Sequence, residues 1–167
     1  MTETSESESH GSIAGVNIFV DGVSVLNIRY WGESTEPNLV AGFVSALASF
    51  AREVSNDGVL KTVNFPPLKI VSLQVMEQPQ VIVAITVQEG FPSRAIEFVL
   101  QAIASIFLEE HSQDIMELKG IDLTPQLGKK VHATIVSSLK EIMDMMRNKD
   151  RNDPRNERYP LAEIEDL

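Results

Sequence analysis

The chain is 167 residues long, 43% hydrophobic and 23% charged, which suits one ordinary domain with a buried core and excludes a wholly disordered polymer. A formal net charge of −10 argues against a face built to hold phosphate backbones, so nucleic acid is not an expected partner. With no cysteine there are no disulfides or thiolate metal sites, and no apolar run nears the ~20 residues of a bilayer-spanning helix.

Residues 1–11 are rich in Ser and Glu, with Glu3, Glu6 and Glu8 and no Lys or Arg, and are expected to form a disordered acidic tail. From Ser12 the pattern turns apolar: Ile13, Val16, Ile18, Phe19 and Val20 precede Asp21-Gly22, and VSVLNIRYW follows. Asp-Gly between two such runs is a strong hairpin signal, because both residues tolerate positive φ. The second run alternates, with Val23, Val25, Asn27 and Arg29 on one side and Ser24, Leu26, Ile28 and Tyr30 on the other. That mixed polarity predicts an edge strand open to a partner.

Gly32 to Glu36 breaks the strand, and Ser34 or Thr35 can cap a helix with Pro37 in its first turn. In LVAGFVSALASFAREV, Leu39, Phe43, Leu47, Phe50 and Val54 recur at helical spacing and predict the buried stripe. The small residues between them permit close approach to a neighbouring surface. Any side left exposed, with Ala41, Ser45, Ala48 and Arg52 as candidates, would serve as a dimer or partner surface. Asn56, Asp57 and Gly58 supply the stop.

Three β runs follow, Val59 to Phe65, Leu68 to Val75 and Gln80 to Val87, joined by short connections that favour antiparallel neighbours. The third is apolar at nearly every position, as a central strand covered on both faces requires. Ser93 can cap a second helix carrying Ile96, Val99, Leu100, Ile103 and Phe107 and fading after His111. Thr124-Pro125 opens a third, with Leu127, Val131, Ile135, Leu139, Ile142 and Met146 on one stripe. The domain is expected to span residues 12–146, and the polar residues 147–167 to form a disordered C-terminal tail. The predicted order is β-β-α-β-β-β-α-α, an α+β fold with the first helix on one face of the sheet and the other two opposite it.

No residue set points to catalysis. His10, His111 and His132 are scattered, without Cys or the i, i+4 ligand spacing of a zinc helix. Gly128-Lys129-Lys130 lacks the upstream glycine of a phosphate loop, and both lysines suit a solvated helical face. Met143, Met145 and Met146 read as core or helix end. The expectation is a non-enzyme with no catalytic residues, metal or cofactor. Tyr30 and Trp31, ending the edge strand, are candidate contact residues together with Asn27 and Arg29, the equal alternative being that one of the two aromatics buries under the following helix. Tyr159-Pro160-Leu161, with Ile164 and Leu167, is either a short docking motif or inert.

The element order, together with Gly42, Phe43, Ser45, Ala46, Leu47 and Phe50 in a Gly-Phe-x-Ser-Ala-Leu-x-x-Phe pattern, resembles the longin domain family. The resemblance is to its stand-alone archaeal and trafficking-complex members. It implies a longin-like three-layer α-β-α fold with a five-stranded antiparallel sheet, acting as a non-catalytic scaffold. The implied partners are a small Ras-like GTPase, another longin or roadblock protein, or a second copy in a homodimer, within membrane-traffic assemblies. The implied location is cytoplasmic, peripheral to membranes only through a partner. The coiled-coil heptads and anchor of the SNARE members have no counterpart, so a fusion role does not follow. The alternative is a profilin- or PAS-like sensor of a small ligand or nucleotide, which would have an enclosed polar pocket where an adaptor has an apolar surface patch.

Overall fold

The structure, a computed structural model, describes residues 13–31, 37–54 and 60–152, with backbone alone at 37, 38, 48, 50–54, 60, 61 and 150–152. The two expected tails up to 11 and beyond 152, the cap at Ser34 or Thr35 and the stop at Asn56 to Gly58 lie outside the described residues. So do the side chains of Phe50 and Val54. The elements run β1 (Ile13–Val20), β2 (Val23–Arg29), α1 (Pro37–Val54), β3 (Leu60–Phe65), β4 (Leu68–Met76) and β5 (Val81–Gln88). They continue with α2 (Ser93–His111), a 3₁₀ turn (Ile115–Leu118) and α3 (Thr124–Asn152). This is the expected order.

All strand pairs are antiparallel, in the order β2-β1-β5-β4-β3. Asp21 (φ 47°) and Gly22 (φ 77°) turn β1 into β2, the positive φ pair that a two-residue hairpin takes. The apolar strand β5 is central, and the chain passes from one sheet edge, β2, to the other, β3, through α1. The first helix therefore bridges the hairpin and the three-strand meander.

Side chains alternate between two unequal layers. Val16, Ile18 and Val20 of β1 and Val81, Val83, Ile85 and Val87 of β5 face α2 and α3. There they meet Ile96, Val99, Leu100, Ile103 and Phe107 of α2 and Leu127, Val131, Ile135, Leu139 and Ile142 of α3, all buried as their spacing predicts. On the other face, among the described residues, Phe19, Ile82 and Ala84 pack with Ala41 and Val44 of α1, flanked by Val40 of the same helix and Ile70.

Four local readings change. Ser93 is the first residue of α2 and not its cap; Pro92 holds the N-cap position, with no side-chain hydrogen bond there. Helix α3 continues to Asn152, beyond the boundary expected at 146, because a solvated stretch without Gly or Pro propagates an established helix. The pairing of β1 with β2 skips Val25 between Ile18↔Leu26 and Phe19↔Ser24. This bulge breaks the simple alternation, so Val25 and Leu26 both enter the larger core while Asn27 and Arg29 stay on the α1 face.

The fourth change concerns α1. Leu39 is 69% and Phe43 44% exposed, whereas Ala41 is fully buried and Val44 nearly so. Among the described residues the helix seats Ala41 and Val44 on the sheet, where Ala41 lets the backbone approach Ala84 and Phe19. Phe43 does not fill the core, and Ala41 is not a partner surface.

Candidate functional site

Tilting Leu39 and Phe43 outward leaves a groove of about 580 Å³ between the first turns of α1 and the sheet. Its apolar walls come from Leu39, Val40 and Phe43 of α1, Phe65 at the end of β3, Leu68 and Ile70 of β4, and Trp31. Phe43 and Phe65 face each other across the rim with ring centroids 5.9 Å apart, and Phe65 is itself 48% exposed.

The floor is polar at four positions set by sheet register. Asn17 of β1 stands opposite Asn27 of β2, and Gly15 is paired with Arg29 on one side and Thr86 on the other. Asn17, Asn27, Arg29 and Thr86 all line the groove. Gly15 is required: a Cβ there would lie 2.7 Å from the Ile28 carbonyl oxygen, closer than packing tolerates. It also leaves the floor without a side chain between the Arg29 and Thr86 positions. Arg29 is the charged residue of the lining and has no ion-pair partner among the described residues.

Of the candidate contact residues, the structure thus brings together Asn27, Arg29 and Trp31. Tyr30 points to the other face. Its Oη lies 3.0 Å from Nδ1 of His132 on α3, and burial raises the phenol above its ordinary pKa. Ser45 is half-buried near Gly22, its Oγ enclosed without a hydrogen-bond partner among the described residues. The side chains of Ala48 and Arg52 lie outside the described residues.

The expectation that β2 offers a free edge fails at its centre. The Leu123 N–H donates to the Val25 carbonyl at 2.7 Å. Thr124 Oγ1 accepts from the Asn27 N–H at 3.1 Å and donates to the Asn27 carbonyl at 3.3 Å. The start of α3 therefore occupies the backbone groups a docking strand would need. Asp122 in turn accepts from the Thr124 N–H, and its pKa is lowered by the Thr124 side chain first and by this backbone hydrogen bond second.

Sequence reasoning missed Leu39, Phe43 and Phe65 as exposed groups, although two apolar stripes on one helix signalled that one of them would lack cover. Among the described residues no group of three His, Asp or Glu could hold a metal ion, and no helix is long and apolar enough to cross a membrane.

No protein-family model matches the chain, and no curated protein sequence does. Among solved structures it is similar to the gliding protein MglB from Thermus thermophilus, at 9% identity and a TM-score of 0.42, over 68% of this chain and 83% of that one.

Proposed function

We propose that the protein is a non-catalytic, longin-like adaptor that docks a small Ras-like GTPase or another longin or roadblock protein on the rim of the α1 groove. The observation that carries this reading is the outward projection of Leu39, Phe43 and Phe65, three large apolar side chains grouped on one face. Such a patch loses its contact with water when a partner covers it. The resemblance in the first helix supports the class of partner, and the covered centre of β2 favours docking on α1 over strand addition. The sensor alternative called for an enclosed polar pocket; an open groove with apolar walls suits it less well, and among the described residues its lining offers a nucleotide one cation.

Pull-down with GTPases loaded with GDP or a GTP analogue, and with longin and roadblock proteins of the source organism, is the direct test. Capture that is lost in a Leu39→Ser/Phe43→Ser variant is the expected outcome. Failure with all of these partners, or capture indifferent to the variant, would remove the reading.

A further inference from the structure

We propose that the α1 groove is also a binding site for a small amphiphile: an apolar chain lying between α1 and the sheet, with an anionic head, a carboxylate in the simplest case, at Arg29. This goes beyond the docking reading and does not depend on it.

Three features select the ligand class. The volume, about 580 Å³, falls within the ~300–1,000 Å³ typical of small-molecule sites, and the walls are apolar side chains with few polar atoms to satisfy. In a chain of net charge −10, the charged residue among the described ones that line this groove is a cation. Its guanidinium can hold a carboxylate through two parallel N–H···O bonds, while Asn17, Asn27 and Thr86 offer neutral donors on the same face. An anionic head is thus complementary to the floor and a cationic head is not.

The third feature separates an alkyl chain from a polypeptide. The floor is the face of β1 and β5, whose backbone groups are engaged in ladders with both neighbours. A peptide entering there would bury amide groups against Val40, Phe43, Leu68 and Ile70 with no ladder to join. An alkyl chain has no such groups to satisfy, and its burial gains from the same walls.

Trp31, the single tryptophan of the chain, lines the groove and reports its occupancy. The test is titration of the native full chain, followed by tryptophan fluorescence, with decanoate and with decyltrimethylammonium, both below their micellar concentrations. A saturable change with decanoate, at an affinity at least about tenfold above that for the cationic amphiphile, is the expected result. Arg29→Gln, whose side chain is exposed, should remove that head-group preference while leaving thermal unfolding of the free protein unchanged. The preference is measured on the native chain, so the proposal stands or falls without the variant. Absence of a saturable change with decanoate, or equal affinity for the two heads, would overturn it. Binding of a synthetic peptide of residues 159–167, which carries Leu161, Ile164 and Leu167 among Glu163, Glu165 and Asp166, without binding of decanoate would assign the groove to a polypeptide and overturn it equally.

Discussion

The two faces of the sheet use the same strands for different ends. Toward α2 and α3, β-branched residues of β1 and β5 meet two complete helical stripes, and nothing large is left uncovered along either helix stripe as far as Ile142. Toward α1 the strands present Phe19, Ile82 and Ala84, then Asn17, Asn27, Arg29 and Thr86, and the helix answers with Ala41 and Val44. One face is closed by shape and apolarity. Among the described residues the other is closed at Ala41 and Val44 and open at the groove, which is where a functional surface can be kept without endangering the fold.

The sharpest way to break this comparison is to remove a side chain from each face. Phe107→Ala, at 1% exposure in the packed layer, should cost about 3–5 kcal/mol in chemical denaturation, the range for deleting a buried ring and leaving its cavity. Val44→Ala on the α1 face removes less and should cost roughly 2 kcal/mol. If the second loss matched the first, α1 would be as integral to the core as α2.

Thr124→Val tests how the packed layer reaches around the edge of β2. The substitution keeps the side-chain shape but removes the acceptor of the Asn27 N–H and the donor to its carbonyl. A loss of about 1–3 kcal/mol is expected for leaving a partly buried backbone donor unpaired.

The larger layer was legible in the sequence because each of its helices has a single apolar stripe, so periodicity alone decides which side is buried. The central place of β5 was legible for the same reason, since Val81 to Ile85 leave no polar face. Helix α1 was harder. Leu39 and Phe43 are larger and more apolar than Ala41, and hydrophobicity alone ranks them inside. Close packing on a sheet instead favours the small side chain, and that requirement appears only once Ala84 and Phe19 stand opposite it. The groove depends further on the pairing of Gly15 with Arg29 and Thr86, positions far apart in sequence whose neighbourhood only the register reveals. The covered edge at Asn27 depends on Thr124, a contact across 97 residues of sequence.

Leu39→Ser combined with Phe43→Ser sharpens the comparison from the open side. Both residues are exposed, so stability should change by only about 0.5 kcal/mol per site. A thermal melt of the double variant close to that of the native chain, with partner capture lost, separates surface from core. A large drop in the melting temperature would mean that the rim supports the fold after all.

The smallest expected effect lies at Asp21, which ties the β1–β2 turn to the packed side. Its Oδ1 accepts from the Gln80 N–H at 2.8 Å, and its Oδ2 lies 2.8 Å from Lys119 Nζ, after the 3₁₀ turn. The hydrogen bond from Lys119, then that from the Gln80 N–H and last the Lys119 charge, hold the Asp21 carboxyl below its ordinary value of 3.8. Because the folded-state pKa is the lower one, the carboxylate's contribution is fully present above 3.8 and is lost as the pH falls through the folded value. Asp21→Asn keeps an oxygen for Gln80 and tolerates φ 47°, so near neutral pH it should cost no more than about 1 kcal/mol, as for an exposed pair. Native and variant stabilities, measured by denaturant midpoints, should converge as the pH falls from about 5 toward 2. Asp122 is held low in the same direction by Thr124, so the variant keeps some acid sensitivity and its curve is not flat. A gap that stayed constant across this range would mean that Asp21 acts through turn geometry and not through its charge. Convergence would confine the electrostatic tie to a small term, leaving apolar burial as what distinguishes the packed face from the open one.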